Sequence, residues 1–419
     1  MPALPGIVTG TRLPLTTSPG TKMEMETQQQ NSSRHQKRRM LLIVCVLAPA
    51  LPLLFIHSDS AAPPNDFAFY WTAARLVLEG KNPYSVADTV DLQHRLFFAS
   101  DRALVMLNPP WILPLIAPFG IVPFSIGKRL WLAMGLAIML ISVHWLWDLY
   151  GDRESPWIGW LIAATFLPVA VVLAIGQIGP LILFGLAGYL RFQARQKNYL
   201  AGAFLFLTAL KPHLVFLVWA ALLLYALHHK RWESLASFLS VLGVASLLAV
   251  VLDRHAFYQY ADLFRTGRAF LQASPTLGGL LRFVSGSPPL QFLPGAGAAL
   301  WFAIYWHRWR SSWEWRSRLP SLLLVSIVAT PYSWFFDQVV LLPSIFFATL
   351  SVLRSRRRVW LEAATVYIVV NAIVLRFLLD RRTMFWYSWT ALAWLAIYVA
   401  LQRRKTAAAP QASRRGAIH

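Results

Sequence analysis

The feature that most restricts this chain is a succession of long apolar runs broken by short clusters of Lys and Arg. Several runs approach the ~20 residues that carry a helix across a bilayer. Hydrophobic residues make up 57% of the 419, and charged residues only 14%, against about 25% in a soluble domain. A water-soluble fold would need a core of implausible size. A transmembrane barrel is excluded as well, because the runs are continuous and do not alternate with period two. The sequence therefore predicts an all-α polytopic integral membrane protein. Its runs, several of them short or broken by Pro, predict about 11–13 transmembrane or half-membrane helices, with amphipathic helices in the first outer loop.

The formal net charge of +21 raises nucleic acid as a partner, but the position of the charge argues against it. Most Lys and Arg sit between apolar runs, which is how membrane topology is encoded, and no nucleic-acid-binding motif occurs. Membrane lipids are the expected surroundings. The only cysteine, Cys45, lies inside the first apolar run, so there is no disulfide framework and no Cys-based metal site.

Three regions follow. Residues 1–39 are rich in Thr, Gln, Pro and Ser and end in Arg34, Lys37, Arg38 and Arg39; they read as a disordered basic cytoplasmic tail. Residues 40–402 form the membrane-embedded domain, opening with an uncleaved span from Met40 to Ile56. Residues 403–419 are a second basic cytoplasmic tail. The clusters at Lys128–Arg129, Arg191–Lys197, Lys230–Arg231, Arg308–Arg318 and Arg354–Arg358 are expected on the cytoplasmic side with both termini. That map strains between Pro156 and Leu190, and a break at Pro168 into two half-helices that dip in and return would relieve it.

On this map the unusual sequence falls on the non-cytoplasmic face, and its richest stretch runs from Pro63 to Tyr84. Apolar residues at Phe69, Tyr70, Ala73, Ala74, Val77 and Leu78 recur at helical spacing. They predict an amphipathic helix with Asp66 in its first turn, ended by Gly80 and followed by an Asn82-Pro83 turn. The helix dipole there favours an ionised carboxylate. The same face receives Asn108-Pro109-Pro110, Gly176-Gln177, Lys211-Pro212, the loop 253–292 and the stretch Thr330–Trp334.

These pieces, in this order, resemble glycosyltransferase family 87, polytopic enzymes of the GT-C fold that include polyprenol-phosphate-mannose-dependent mannosyltransferases. The resemblance rests on D-F-x-x-Y-W-x-A-A with G-K-N-P-Y (Asp66 to Tyr84), N-P-P-W (Asn108 to Trp111), G-Q-I-G (Gly176 to Gly179), L-K-P (Leu210 to Pro212), and S-P-T with T-P-Y-S-W (Ser274 to Trp334). It implies inverting transfer of a single sugar, mannose in the best-known case, from a polyprenyl-phosphate donor to a lipid or glycan acceptor. It places the site on the outer face of a plasma membrane, uses no nucleotide sugar, and maps a catalytic Asp onto Asp66. One departure is plain. A histidine that often follows the last piece is replaced here by Phe336 and Asp337.

Such a transfer needs a base for the acceptor hydroxyl and cations for the leaving phosphate. Asp66 suits the first role, against a bland reading in which it only caps its helix. Lys211, at membrane depth, suits the second, against snorkelling. Arg265 and Arg268, among aromatics of the 253–292 loop, are further phosphate ligands, against ordinary headgroup contact. Gln177 is assigned to a sugar hydroxyl, and the motif residues Tyr70, Asn108 and Trp334 to substrate. Asp337 either assists or caps the helix after it. His57, His213 and His255 lack metal-ligand spacing, and neither metal nor cofactor is expected. A lipid or solute transporter is the rival class, but no repeat relates the two halves.

Overall fold

The computed structural model describes residues 66–96, 104–151, 155–266, 274–353, 355 and 357–415. The expected N-terminal tail and the span from Met40 to Ile56 lie outside them. Among the described residues every regular element is helical. In chain order the α-helices are α1 (Phe67–Leu78), α2 (Val86–Leu96), α3 (Leu113–Ile121), α4 (Phe124–Tyr150), α5 (Pro156–Thr165), α6 (Leu167–Ala174), α7 (Gly179–Ala194), α8 (Asn198–Leu205) and α9 (Phe216–His229). They continue with α10 (Glu233–Leu252), α11 (Ala256–Arg265), α12 (Leu277–Ser285), α13 (Leu293–Trp309), α14 (Trp315–Ala329), α15 (Leu342–Leu353), α16 (Arg357–Leu379) and α17 (Thr390–Arg415).

Among the described residues, four helical stretches are long and apolar enough to cross a membrane: α4, α10, Phe335–Leu353 and α16. A fifth is the bent pair α5–α6. The protein is thus an all-α polytopic membrane protein, as its composition dictates. Shorter apolar helices run alongside these. The α8 helix tightens into a 3₁₀ segment, Phe206–Leu210, where the Thr208 hydroxyl donates to the Leu205 carbonyl at 2.6 Å. The larger rise of a 3₁₀ turn lets residues 198–210 reach about 22 Å. Close backbone approach holds this region. A Cβ on Gly202 would lie 2.0 Å from the Ser234 carbonyl oxygen, so α8 meets α10 with no side chain between them. Gly202→Val is expected to push the helices apart at about 3 kcal/mol or more. The loss of a monodisperse peak in detergent chromatography would show it.

The path of the chain corrects two expectations. The break falls at Phe166, beside Pro168, but α5 and α6 bend by only 59°, and a hairpin would need the second half to reverse. Instead α5–α6 runs antiparallel to the whole of α4. Gly159 packs on Trp147, near the C-terminal end of α4. The Gly176 carbonyl accepts from Trp131 Nε1, near its N-terminal end, at 2.8 Å. Side chains of α16 bond to the backbone on either side of the bend. Asn371 Oδ1 accepts from the Leu167 N–H at 3.2 Å, and the Tyr367 hydroxyl donates to the Ile162 carbonyl at 3.2 Å. That is the condition for irregular backbone at membrane depth.

The second correction concerns Lys128–Arg129, expected with the other basic clusters. The α3 helix does not cross; it lies on α1. Trp71 Nε1 donates to the Val122 carbonyl at 3.0 Å, and a Cβ on Gly120 would lie 2.7 Å from the Ala74 backbone. So α4 starts at the Asp66 end and carries Lys128–Arg129 there. The clusters Arg191–Lys197, Lys230–Arg231, Arg308–Arg318 and the start of 403–415 gather at the opposite end. Arg191 pairs with Asp148 at 3.5 Å, the Arg310 carbonyl bonds His229 at 2.9 Å, the Arg316 carbonyl accepts from the Tyr150 hydroxyl at 2.9 Å, and Arg404 pairs with Glu362. Single cysteines in a Cys45→Ser background test this arrangement. Arg129→Cys and Arg265→Cys are expected to react with an impermeant maleimide from one side of intact vesicles, and Arg231→Cys only from the other.

Helix α1 is enclosed where amphipathy had been expected. Phe67, Tyr70, Trp71, Leu76 and Val77 are all buried. Burying such side chains is worth about 1.5–3 kcal/mol each, far above the ~0.3–0.5 kcal/mol of an exposed i,i+4 pair such as Arg75–Glu79. Packing, not surface charge, fixes the element that carries Asp66. Gly80 (φ +70°) ends it, and Asn82 Oδ1 accepts from the Tyr84 N–H at 2.8 Å in the turn that follows.

Candidate active site

Asp66 sits at the N-cap of α1, but its side chain makes no capping bond. It is tied to the turn between α6 and α7 instead. The Asp66 N–H donates to the Ile175 carbonyl at 2.7 Å, and Asp66 Oδ2 accepts from Gln177 Nε2 at 2.6 Å. Gln177 Oε1 in turn accepts from the Tyr70 hydroxyl at 2.8 Å. Gly176, at φ +72°, makes the sharp turn that presents Gln177. The capping reading is therefore set aside. Burial pushes the Asp66 carboxyl above its ordinary value of 3.8; the Gln177 hydrogen bond and the Lys211 ammonium pull it down, and the Asp337 carboxylate pushes it up. Burial is the strongest of the four.

Lys211 follows the 3₁₀ segment that ends α8, and Pro212 stops that segment from continuing. Its Nζ lies 2.7 Å from Asp337 Oδ1, with the two side chains 9% and 0% exposed. The ammonium also stands 5.3 Å over the Phe336 ring. Asp337 Oδ2 accepts from the Trp334 N–H at 2.9 Å, so Asp337 caps its 3₁₀ helix and pairs with Lys211 together. Asn108 Nδ2 and Trp111 Nε1 donate to the Leu210 and Ala209 carbonyls, each at 2.8 Å, which pins the backbone just before Lys211. The Ser274 hydroxyl donates to the Ser333 carbonyl at 2.8 Å and accepts from the Ser333 N–H at 2.9 Å, fixing the strand-like entry to Trp334. The half-buried Asp66 carboxyl, the Lys211 ammonium and the buried Asp337 carboxylate, supplied from three distant parts of the chain, thus converge at one end of a helical membrane body.

The glycosyltransferase family 87 model matches residues 107–331, more than half of the chain. The protein belongs to glycosyltransferase family 87. No curated protein and no solved structure matches it. The family match takes in Asn108, Gln177 and Lys211, whereas Asp66, Tyr70, Trp334 and Asp337 lie beyond its ends. A family 87 enzyme is a glycosyltransferase, with a sugar donor and an acceptor to accommodate.

Of the residues singled out in the sequence, Asp66, Gln177 and Tyr70 form one chain of hydrogen bonds. Lys211, Asp337 and Trp334 form a second, within electrostatic reach of the first. Tyr70 is fully buried and its hydroxyl donates to Gln177. Asn108 likewise positions the Lys211 segment with its amide. Gln177 accepts from Tyr70 with its carbonyl oxygen and donates an N–H to Asp66. Trp334 is half-buried, stacked 6.4 Å from Phe336, with Nε1 donating to the Tyr332 hydroxyl at 2.7 Å. Arg265 is exposed at the end of α11 with no hydrogen bond or ion pair tying it to this cluster, and Arg268 lies outside the described residues.

Three further neighbours, none assigned a role from the sequence, line this cluster. Trp131 stacks on Tyr70 at 5.4 Å while its N–H holds Gly176. Tyr332 and His213 meet edge to face at 5.8 Å. Burial and then the Lys211 charge push His213 down to about 4, so it is neutral at pH 7 and adds no charge. Its place two residues after Lys211, in the same helix break, was the available clue.

Proposed function

We propose that this glycosyltransferase moves one hexose, with inversion, from a polyprenyl-phosphate donor to a hydroxyl of a lipid or glycan acceptor. Asp66 takes the acceptor proton as the hydroxyl oxygen bonds to the sugar C1. The C1–O bond to phosphate breaks, its electron pair stays on the phosphate oxygen, and Lys211 turns from Asp337 to hold the departing anion. The observation that carries this reading is the grouping of a half-buried carboxyl of raised pKa with a buried ammonium at the end of a membrane body. A base poised above its ordinary range accepts a proton more readily, and a phosphate in a site with two carboxylates needs Lys211 to offset them.

Residues 40–402 act as the catalytic domain. The arginine-rich clusters at the opposite end support an outer, periplasmic placement of the site in the plasma membrane, with both termini cytoplasmic. Mannose is the leading candidate sugar, following the family resemblance. The test is transfer by purified protein in lipid vesicles. Sugar is expected to pass from polyprenyl-phosphate hexoses and not from nucleotide sugars. Transfer from a nucleotide sugar alone would end the proposal.

A further inference from the structure

We propose that Tyr70 is a positioning residue that keys the Gln177 amide, so that an N–H, and not the carbonyl, always faces Asp66. The inference rests on the assignment of Asp66 as base and adds what holds that base in its working form. A primary amide has nearly the same shape after a half-turn, and the turned amide would set its oxygen against the carboxylate. Two hydrogen bonds prevent this here, at 2.8 Å from the Tyr70 hydroxyl to Gln177 Oε1 and at 2.6 Å from Gln177 Nε2 to Asp66 Oδ2. The phenol itself cannot turn, being fully buried and stacked on Trp131 at 5.4 Å. Trp131 also holds Gly176, which fixes ring and turn against one another.

The charged and titratable groups facing Asp66 come from two other segments: Lys211 before α9, and Asp337 and Tyr332 before α15, with Tyr70 on its own helix. Only the Gln177 bond touches the carboxylate directly, and Tyr70 sets the direction of that bond.

A double-mutant cycle of Tyr70→Phe and Gln177→Ala tests this, read in kcat, donor KM and the pH profile of transfer. Phe keeps the ring and its stack on Trp131. Tyr70→Phe is expected to lower kcat about tenfold with donor KM unchanged, and to move the acid limb of the profile to higher pH. In the Gln177→Ala background the same substitution is expected to change nothing further. Gln177→Asn, which leaves Tyr70 intact but shortens the arm, is expected to give the same displacement of the limb, and serves alone if Tyr70→Phe does not fold. Equal losses with and without Gln177, a change in KM alone, or an unmoved limb in either variant would overturn the proposal. If Asp66→Asn proves inactive while the cycle is additive, only this inference falls. If Asp66→Asn transfers normally, the base assignment falls and this goes with it.

Discussion

Asp66→Asn is expected to lower kcat for sugar transfer by about 10²–10⁴-fold, the range a positioned general base contributes. Donor KM should stay nearly constant. The substitution keeps the shape of the side chain and an oxygen for Gln177, so the α1 packing is undisturbed. The pH profile carries a second reading of the same residue. A base works only when ionised, and burial raises the Asp66 pKa from 3.8. Activity is therefore expected to be full on the alkaline side and to be lost as pH falls through the raised value, with a midpoint above that of an ordinary carboxylate. Gln177→Leu removes a hydrogen bond that lowers the pKa, and should move the midpoint further up. An Asp66→Asn enzyme with undiminished kcat would show that another group takes the proton.

Breaking the Lys211–Asp337 pair is the change with the next largest effect. With the side chains 9% and 0% exposed, removing either leaves a charge stranded in the interior, at about 3–5 kcal/mol. Lys211→Ala and Asp337→Ala are each expected to lower the thermal midpoint sharply in detergent. The double variant Lys211→Met/Asp337→Asn replaces the pair by groups of similar size, and Asn still has an oxygen for the Trp334 N–H. It is expected to regain most of the lost stability and yet to remain without transfer, because no cation is left for the phosphate. Stability and activity returning together would reduce the pair to a structural role. This separates it from the exposed Arg75–Glu79 pair at the end of α1, which contributes a few tenths of a kcal/mol.

Much of this was legible along the chain. The start of α1 at Asp66 and its end at Gly80 followed from apolar spacing and from the one residue tolerant of positive φ. The break near Pro168 followed from the missing N–H, and the collection of Asp66, Gln177, Lys211 and Asp337 at one end followed from alternating the runs. What misled was local likeness. The α3 segment is as apolar as a span, and only its contact with Ala74 through Gly120 shows that it lies on α1. Taking it as a crossing sent Lys128–Arg129 to the wrong end and forced a hairpin where the chain merely bends.

That this is a helical membrane protein with its polar breaks at one end could be read along the chain. Those features follow from hydrophobicity and backbone geometry, which each segment carries within itself. What the polar residues touch came from the packing of the helices. Gln177 meets Asp66 across 111 positions and Lys211 meets Asp337 across 126. No local pattern encodes such pairings, because they depend on how the helices pack. Packing also turned the Asp66 pKa upward, since burial outweighed the Gln177 hydrogen bond and the Lys211 charge that pull it down.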